Sequence, residues 1–140
     1  MIVLDTNVVS EVLRKRPDPS VLAWMESLTG EVAITAMTAA ELLAGVRRLP
    51  AGKRRAALGS MIETVLRTYR ESGAVLPFDE AAAAEYAEVL FRREKAGLPI
   101  TTADAQIAAI CRSKRAVCAT RNTRDFAKTG IELVDPWATR

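Results

Sequence analysis

The sequence predicts an α/β fold in which helices pack on a mostly parallel sheet. Two observations support this prediction. Short apolar runs alternate along the chain with longer amphipathic stretches, a pattern typical of strands joined by crossover helices. The apolar runs are also uniformly hydrophobic, as strands buried in a parallel sheet are. We therefore expect a single α/β domain that spans residues 1–140.

The apolar pattern places each element in turn. The strands are predicted at Ile2–Leu4, Val32–Thr35, Val75–Phe78, Ala116–Ala119 and Ile131–Val134. The helices are predicted at Asn7–Arg14, Pro19–Leu28, Thr38–Leu49, Lys53–Glu71, Asp79–Ala96 and Thr102–Lys114. Proline and glycine residues separate these segments, and both residue types interrupt regular secondary structure.

The composition is that of an ordinary globular protein. Apolar residues form 49% of the chain and charged residues 26%. No apolar run is long enough to span a membrane, and no basic leader is visible, so we expect a cytoplasmic protein without a membrane partner. Cys111 and Cys118 lack the spacing of a metal site or a redox motif and are expected to be buried thiols.

The chain contains no histidine. This absence excludes a histidine general base, Ser–His and Cys–His nucleophilic pairs, and histidine-bound zinc. Enzymatic chemistry would then have to come from carboxylates, hydroxyls, lysine or arginine. A carboxylate-rich site without imidazole suits hard cations such as Mg²⁺ or Mn²⁺.

Acidic or amide side chains follow a strand or begin a helix at several places. Asp5 follows the first strand, and Glu41 lies early in the third helix. Asp104 lies in the first turn of the last helix, and Asn122 and Asp125 follow the fourth strand. Ligands of parallel sheets bind beyond the carboxyl ends of the strands. We therefore expect all of these side chains at one edge of the sheet.

Each of these acids also has a simpler structural interpretation. Thr38 and Glu41 have the spacing of a capping box, and so do Thr101 and Asp104. Asp5 fits an N-cap. Caps have no reason to converge, whereas carboxylates that do converge repel one another unless a cation joins them. A converging set would form a hard-metal site, and metal-assisted phosphodiester hydrolysis is the reaction that best suits it.

Basic residues cluster in two parts of the chain. The first cluster fits a solvent-exposed helix face as well as a binding surface; it comprises Arg47, Arg48, Lys53, Arg54 and Arg55. The second lies near the acidic motifs, and we expect it to favour ligand binding; it comprises Arg112, Lys114, Arg115, Arg121, Arg124 and Lys128. Within it, Arg121 and Arg124 are predicted to hold the phosphates of a substrate.

The acidic motifs together resemble those of a known family. The segments LDTNVVSEVL, TAAELLAGV, GLPITTADAQIAA and ATRNTRDF resemble PIN-domain ribonucleases, and more narrowly the VapC toxins of bacterial type II toxin–antitoxin pairs. The resemblance covers essentially the whole chain in order and spacing. It implies a three-layer α/β/α sandwich, an endoribonuclease that depends on Mg²⁺ or Mn²⁺, and neutralisation by a cognate VapB-type antitoxin. We also expect a homodimer and a larger hetero-oligomer with the antitoxin.

The resemblance also assigns roles to individual residues. Asp5, Glu41 and Asp104 match the acidic residues that bind metal and catalyse cleavage in the family. Thr6 matches the hydroxyl that usually follows the first acid, and Thr120 matches the Ser or Thr that opens the last motif. All five are therefore expected in the catalytic site.

The sequence departs from the family pattern at the fourth acid. Many members have Asp where this chain has Asn122, and a further acid, Asp125, follows three residues later. An amide oxygen can ligate a cation but adds no charge. Either Asp125, or water held by Asn122, is therefore expected to complete the site.

Two other functions remain open from the sequence. The first is a catalytically silent RNA-binding or partner-binding module of the same fold, in which the acids serve only as caps. The second is an aspartyl-phosphate phosphatase, which also places an Asp after its first strand. That chemistry usually needs a second acid two residues later, where this chain has Asn7, so the phosphatase ranks below the other two.

Overall fold

The computed structural model describes residues 1–138. The strands are β1 (Ile2–Leu4), β2 (Val32–Thr35), β3 (Val75–Leu76), β4 (Val117–Ala119) and β5 (Leu133–Val134). The helices are α1 (Thr6–Val12), α2 (Pro19–Glu26), α3 (Ala36–Arg48), α4 (Lys53–Glu71), α5 (Glu80–Lys95) and α6 (Thr102–Lys114). A short 3₁₀ helix (Thr123–Phe126) lies between β4 and β5.

The strands form one sheet in the order β3-β2-β1-β4-β5. Every strand pair is parallel, and Val3 of β1 lies beside Ala33 of β2 and Cys118 of β4. Parallel neighbours require crossover connections, which the helices supply. The carboxyl ends of all the described strands therefore meet at one edge of the sheet, called the carboxyl edge below.

Successive residues of the central strands face opposite sides of the sheet, as a strand's two-residue period requires. Val3 and Cys118 pack in a core that α5, α6 and the 3₁₀ helix complete. Leu4 and Ala119, one residue further along, pack in a second core with α1, α2, α3 and α4. The sheet therefore lies between two helical layers, and the expected α/β/α sandwich is confirmed.

The start of α3 differs from its predicted position by two residues. Thr35 is the last residue of β2 and also the N-cap of α3, because its Oγ1 accepts the Thr38 N–H at 3.2 Å. The helix therefore begins at Ala36 and not at Thr38. A capping box formed by Thr38 and Glu41 was a wrong expectation, since Thr38 lies inside the helix.

The other predicted elements differ from the structure mainly at their ends, where terminal residues often fray. β1, β2, α4 and α6 have the predicted bounds. β3 is shorter than predicted because Pro77 cannot donate to a ladder. The 3₁₀ helix was not predicted at all. Cys111 and Cys118 are free and buried, as expected. No helix in the described part of the chain combines the length and the apolar character needed to cross a membrane.

Candidate metal centre at the carboxyl edge

Asp5 is fixed where β1 passes into α1. Its backbone N–H donates to the carbonyl of Ala119 at 2.9 Å, so β4 still holds the chain at this point. Its side chain caps α1, because Oδ1 accepts the Thr6 N–H at 2.8 Å. Only 6% of Asp5 is exposed. The strand and the helix together therefore hold this carboxylate at the carboxyl edge.

A hydrogen-bond network joins Asp5 to the segment after β4. The hydroxyl of Thr120 donates to Asp5 Oδ2 at 2.8 Å and accepts the Asn122 N–H at 3.0 Å. Because a backbone N–H can only donate, the Thr120 hydroxyl hydrogen is left to point at Asp5. Asn7 Nδ2 lies 3.2 Å from both Asp5 Oδ2 and Thr120 Oγ1, and Asn7 Oδ1 accepts the Arg121 N–H at 3.1 Å. The network therefore sets the orientation of the Asp5 carboxylate.

Thr6 links the first motif to α3. Its hydroxyl hydrogen-bonds the Glu41 carboxylate, and its Oγ1 lies 3.1 Å from Oγ1 of the buried Thr38. Glu41 is exposed on the solvent side of α3. Thr6 is therefore placed to direct Glu41 toward the same edge as Asp5.

Asp104 reaches the carboxyl edge from α6. Thr101 caps this helix by accepting the Asp104 N–H at 3.2 Å, and its side chain also hydrogen-bonds the Asp104 carboxylate. The expected cap at Thr101 is thus confirmed. Asp104 itself is half-buried, so its carboxylate is partly withdrawn from water.

The carboxylates act on one another electrostatically. Loss of contact with water, nearly complete for Asp5 and partial for Glu41 and Asp104, is the largest cause that raises the pKa values of these three groups above those of ordinary carboxyl groups. The negative charges of Asp5 and Asp104 raise the pKa of Glu41 further, and the charge of Asp125 does the same for Asp5 and Asp104. None of these acids forms an ion pair within residues 1–138. The carboxyl edge is therefore a concentration of negative charge that no ion pair neutralises, although the nearby charge of Arg93 lowers the pKa of Asp104.

Asn122 and Asp125 occupy different positions in the last motif. Asn122 stands at the N-cap of the 3₁₀ helix, but its side chain makes no capping hydrogen bond. Asp125 lies inside the same helix and is close enough to influence the pKa values of Asp5 and Asp104. Both side chains are exposed. The electrostatic coupling favours Asp125 over Asn122 as the fourth acidic group.

The donor set at the carboxyl edge suits a hard divalent cation in type and in charge. Among residues 1–138, no group of three His, Cys, Asp or Glu side chains stands close enough together to hold a metal ion directly. Mg²⁺ keeps several water ligands and usually takes only one or two protein carboxylates. The side chains therefore fit Mg²⁺ or a similar ion that retains water better than they fit a fully enclosed metal.

The structure divides the second basic cluster between two ends of the domain. Arg121 and Arg124 follow β4 and lie at the carboxyl edge, where the guanidinium of Arg121 stacks on the Trp137 ring at 5.0 Å. Arg112 lies near the end of α6, before β4 begins, and pairs with Glu85 at 2.7 Å. The expectation of one binding cluster was wrong, because β4 separates its members.

Sequence reasoning missed two residues around the site. From the sequence, Asn7 stood out only because it occupies the position where an aspartyl-phosphate phosphatase would have its second acid. In the structure its side chain hydrogen-bonds Asp5 and Thr120. Its place next to the first acid in the segment LDTN was the available signal. Arg93 is buried in the last turn of α5, and nothing in the basic segment FRREK distinguishes it from its neighbours.

Comparisons with known proteins agree with this architecture. The family model of the PIN domain matches residues 2–132. The chain is 40% identical over 139 residues to VapC ribonuclease Y4jK of Sinorhizobium fredii, covering 98% of each chain. It is also 40% identical over 139 residues to Toxin FitB of Neisseria gonorrhoeae, covering 98% of this chain and 99% of the toxin. The crystal structure of FitAcB from the same organism superposes with a TM-score of 0.91 at 39% identity, covering 99% of both chains.

Proposed function

The chain belongs to the PIN-domain family and is similar to VapC-type toxins, and on this basis we propose that it is the toxin of a type II toxin–antitoxin pair. Its activity would be the hydrolysis of RNA phosphodiester bonds by a divalent-metal-dependent endoribonuclease. One observation carries the proposal. Asp5, Glu41 and Asp104 come from three separate elements, and their charges act on one another at one edge of the sheet.

Different side chains of the site would hold the metal ion and the RNA. When bound, Mg²⁺ or Mn²⁺ would activate water and stabilise the departing oxygen. Asp5, Glu41, Asp104 and Asp125 would hold the ion, with Asp5 oriented by Thr120. Exposed arginines at the same edge would hold RNA phosphates in register with the acids.

A silent binding module of the same fold remains the second candidate. It is favoured by the absence, within residues 1–138, of three acidic side chains close enough to ligate a metal directly. The capping roles of Asp5 and Thr101 are compatible with this alternative as well. Binding of a divalent ion by the purified protein is the first measurement that separates the two candidates.

We expect Mg²⁺ or Mn²⁺ to raise the melting temperature at neutral pH. An ion that binds only the folded protein stabilises it by mass action, and a hundredfold excess over Kd corresponds to a rise of about 10 °C for a domain of this size. Protons compete with the ion for the carboxylates. The pKa values of Asp5, Glu41 and Asp104 are raised. As the pH is lowered, the metal-induced rise in melting temperature should therefore disappear at a higher pH than it would with carboxyl groups of ordinary pKa. Thermal melts with and without metal at several pH values measure this.

Two variants serve to localise the metal effect. Asp104→Asn should reduce the metal-induced shift, because it removes one of the converging charges. Asp18→Asn is the matched control, since Asp18 is also an N-cap, accepting the Ser20 N–H at 2.8 Å, and lies beyond the far end of α1. It should leave the shift unchanged. A wild-type melting temperature that neither metal alters would contradict the site.

Replacing Arg121 and Arg124 together with alanine is expected to weaken RNA binding and its salt dependence. Each phosphate contact on a single strand contributes about −0.7 to the slope of log K against log salt concentration. Two lost contacts should therefore make the slope less steep by about 1.4. Filter binding at several salt concentrations, with metal omitted to prevent cleavage, measures the slope. The double variant Lys15→Ala with Arg16→Ala removes equal charge from an exposed turn and should change the slope less. Equal effects of the two double variants would rule out a specific role for the arginines.

A VapB-type antitoxin is the proposed protein partner, and the acidic edge offers it a target. An Arg or Lys of the partner placed among Asp5, Glu41 and Asp104 would be attracted by their negative charge and would compete with the metal ion. Cleavage should therefore return when the partner is removed, for example by proteolysis, and excess RNA should not restore it. Recovery on adding RNA alone would indicate inhibition at the RNA surface instead.

A further inference from the structure

Arg93 is a buried cation that the proposed function leaves without a role. It lies in the last turn of α5 and is only 5% exposed, whereas its neighbours Arg92 and Glu94 are exposed. Burying a guanidinium costs free energy unless its donors find partners. No carboxylate lies within ion-pair distance of Arg93 in the described residues. Its burial must therefore be supported by other groups.

Those groups are backbone carbonyls from two separate segments. Nη2 of Arg93 donates to the carbonyl of Pro99 at 2.6 Å, in the loop that leads into α6. Nη1 donates to the carbonyls of Ala127 at 2.7 Å and Arg124 at 3.2 Å, in and just after the 3₁₀ helix. A guanidinium presents its donors in a rigid planar fork. The fork therefore holds the two segments at a defined separation.

Each bridged segment leads to one acid of the carboxyl edge. The Pro99 loop precedes Asp104 in the first turn of α6, and Asp125 lies next to Arg124 within the 3₁₀ helix. Nε of Arg93 is buried without a hydrogen-bond partner among the described residues, which adds to the cost of keeping an arginine here. The bonds made by the two Nη groups are what offset that cost.

We propose that Arg93 is a positioning residue, which sets the separation of Asp104 and Asp125 by joining the backbone segments that carry them. The proposal rests on the proposed function, because this separation affects activity only if both carboxylates serve the same cation. Arg93 does not contact substrate or metal in this role. It acts through the backbone.

The charge of Arg93 and its bridging role predict opposite effects of its removal on metal binding. The buried charge of Arg93 already acts on the Asp104 carboxylate and would repel a divalent ion, so removing it would strengthen metal binding if electrostatics alone mattered. Removing the bridge would weaken metal binding if positioning matters, because outer partners of metal ligands commonly change affinity by about 10- to 100-fold. The sign of the change therefore distinguishes the two roles.

The test compares Arg93→Gln and Arg93→Lys with the wild type. Mn²⁺ affinity is measured by calorimetry without RNA, well below the melting temperature of each variant, with the fold checked by circular dichroism. We expect Arg93→Gln to bind Mn²⁺ about tenfold more weakly than the wild type. Arg93→Lys, whose hydrogen-bond donors all lie on a single nitrogen, should recover part of that loss. With RNA, kcat should fall while KM stays within about twofold. Arg92→Gln is the control, because Arg92 is exposed and pairs with Glu88; it should bind Mn²⁺ as the wild type does.

Two results would overturn the positioning role. Tighter Mn²⁺ binding by Arg93→Gln would show that charge dominates, and unchanged binding with a lower melting temperature would show a role in stability alone. Hydrogen exchange of the metal-free protein tests the bridge separately. Arg93→Gln should raise exchange in residues 97–104 and 122–127 together, and unchanged exchange there would overturn the bridge. A wild-type protein that binds no Mn²⁺ would instead contradict the proposed function.

Discussion

Replacing Asp5 with asparagine is expected to reduce RNA cleavage at least about a thousandfold. A metal ion contributes several kcal/mol of transition-state stabilisation in such reactions, and each 1.36 kcal/mol corresponds to a factor of ten in rate. Asp5 is the most buried acid of the site and the one whose orientation the hydrogen-bond network fixes. An amide in its place supplies no negative charge. Single-turnover cleavage of a labelled RNA with saturating metal measures the loss.

The same change should leave the metal-free fold as stable as before, or more stable. Asparagine is a good N-cap, so it can still accept the Thr6 N–H, although its amide nitrogen would face the donor of Asn7. Burial raises the pKa of Asp5, so its charge costs stability in the folded protein above the ordinary value of 3.8. Below that value Asp5 is neutral both folded and unfolded. The advantage of the variant should therefore be present at neutral pH and disappear in acid.

The control for this variant is again Asp18→Asn, which changes an N-cap acid away from the carboxyl edge. It should cleave RNA as the wild type does. Urea denaturation of metal-free protein at neutral and acid pH provides the stability comparison. Retained cleavage in Asp5→Asn, together with a clear loss of stability, would mean that Asp5 is only a cap.

Replacing Phe126 with alanine is expected to destabilise the protein by about 3–5 kcal/mol. Phe126 is 1% exposed and is the largest of the fully buried side chains in the described residues. Its side chain packs the 3₁₀ helix against the core formed with α5 and α6. Its backbone carbonyl accepts a hydrogen bond from the Thr129 hydroxyl at 2.6 Å. Truncation would leave a cavity in that core. Such a loss is a large part of the stability of a typical domain.

The matched control makes the same substitution on the surface. Phe91 is 58% exposed on α5, and its ring contacts Lys95 at 5.9 Å. Phe91→Ala should change the free energy of unfolding by less than about 1 kcal/mol. Urea titrations of both variants provide the comparison. Equal effects of the two substitutions would contradict the assigned packing of the 3₁₀ helix.

The elements that the sequence predicted well are those with a strong local signal. Ile2–Leu4 is uniformly apolar and becomes a central strand with the predicted bounds, and Thr102–Lys114 has a cap at Thr101 and an apolar face. The 3₁₀ helix is too short to show a period. Thr35 was predicted only as a strand residue. Its second role, as the N-cap of α3, depends on where the chain turns from β2 into the helix, which the sequence pattern does not show.

The acids of the candidate site were predictable for a similar reason. Each follows a strand or lies early in a helix, and parallel topology brings those positions to one edge. Their supporting contacts were not predictable, because the partners are distant in sequence. Asn7 and Thr120 are 113 residues apart, and Arg93 bridges segments that only the folded chain brings together. Sequence pattern encodes local preference, whereas these contacts depend on tertiary packing.

The most direct test of the metal centre is the anomalous diffraction of crystals soaked in Mn²⁺. If the carboxyl edge holds the catalytic ion, an anomalous peak should lie within direct ligand distance of the Asp5 carboxylate, beside Asp104 and Asp125. The peak should be absent from crystals of Asp5→Asn grown and soaked in the same way. Wild-type crystals with no peak at this edge, or with a peak only elsewhere on the protein, from a preparation that cleaves RNA with Mn²⁺, would contradict the site.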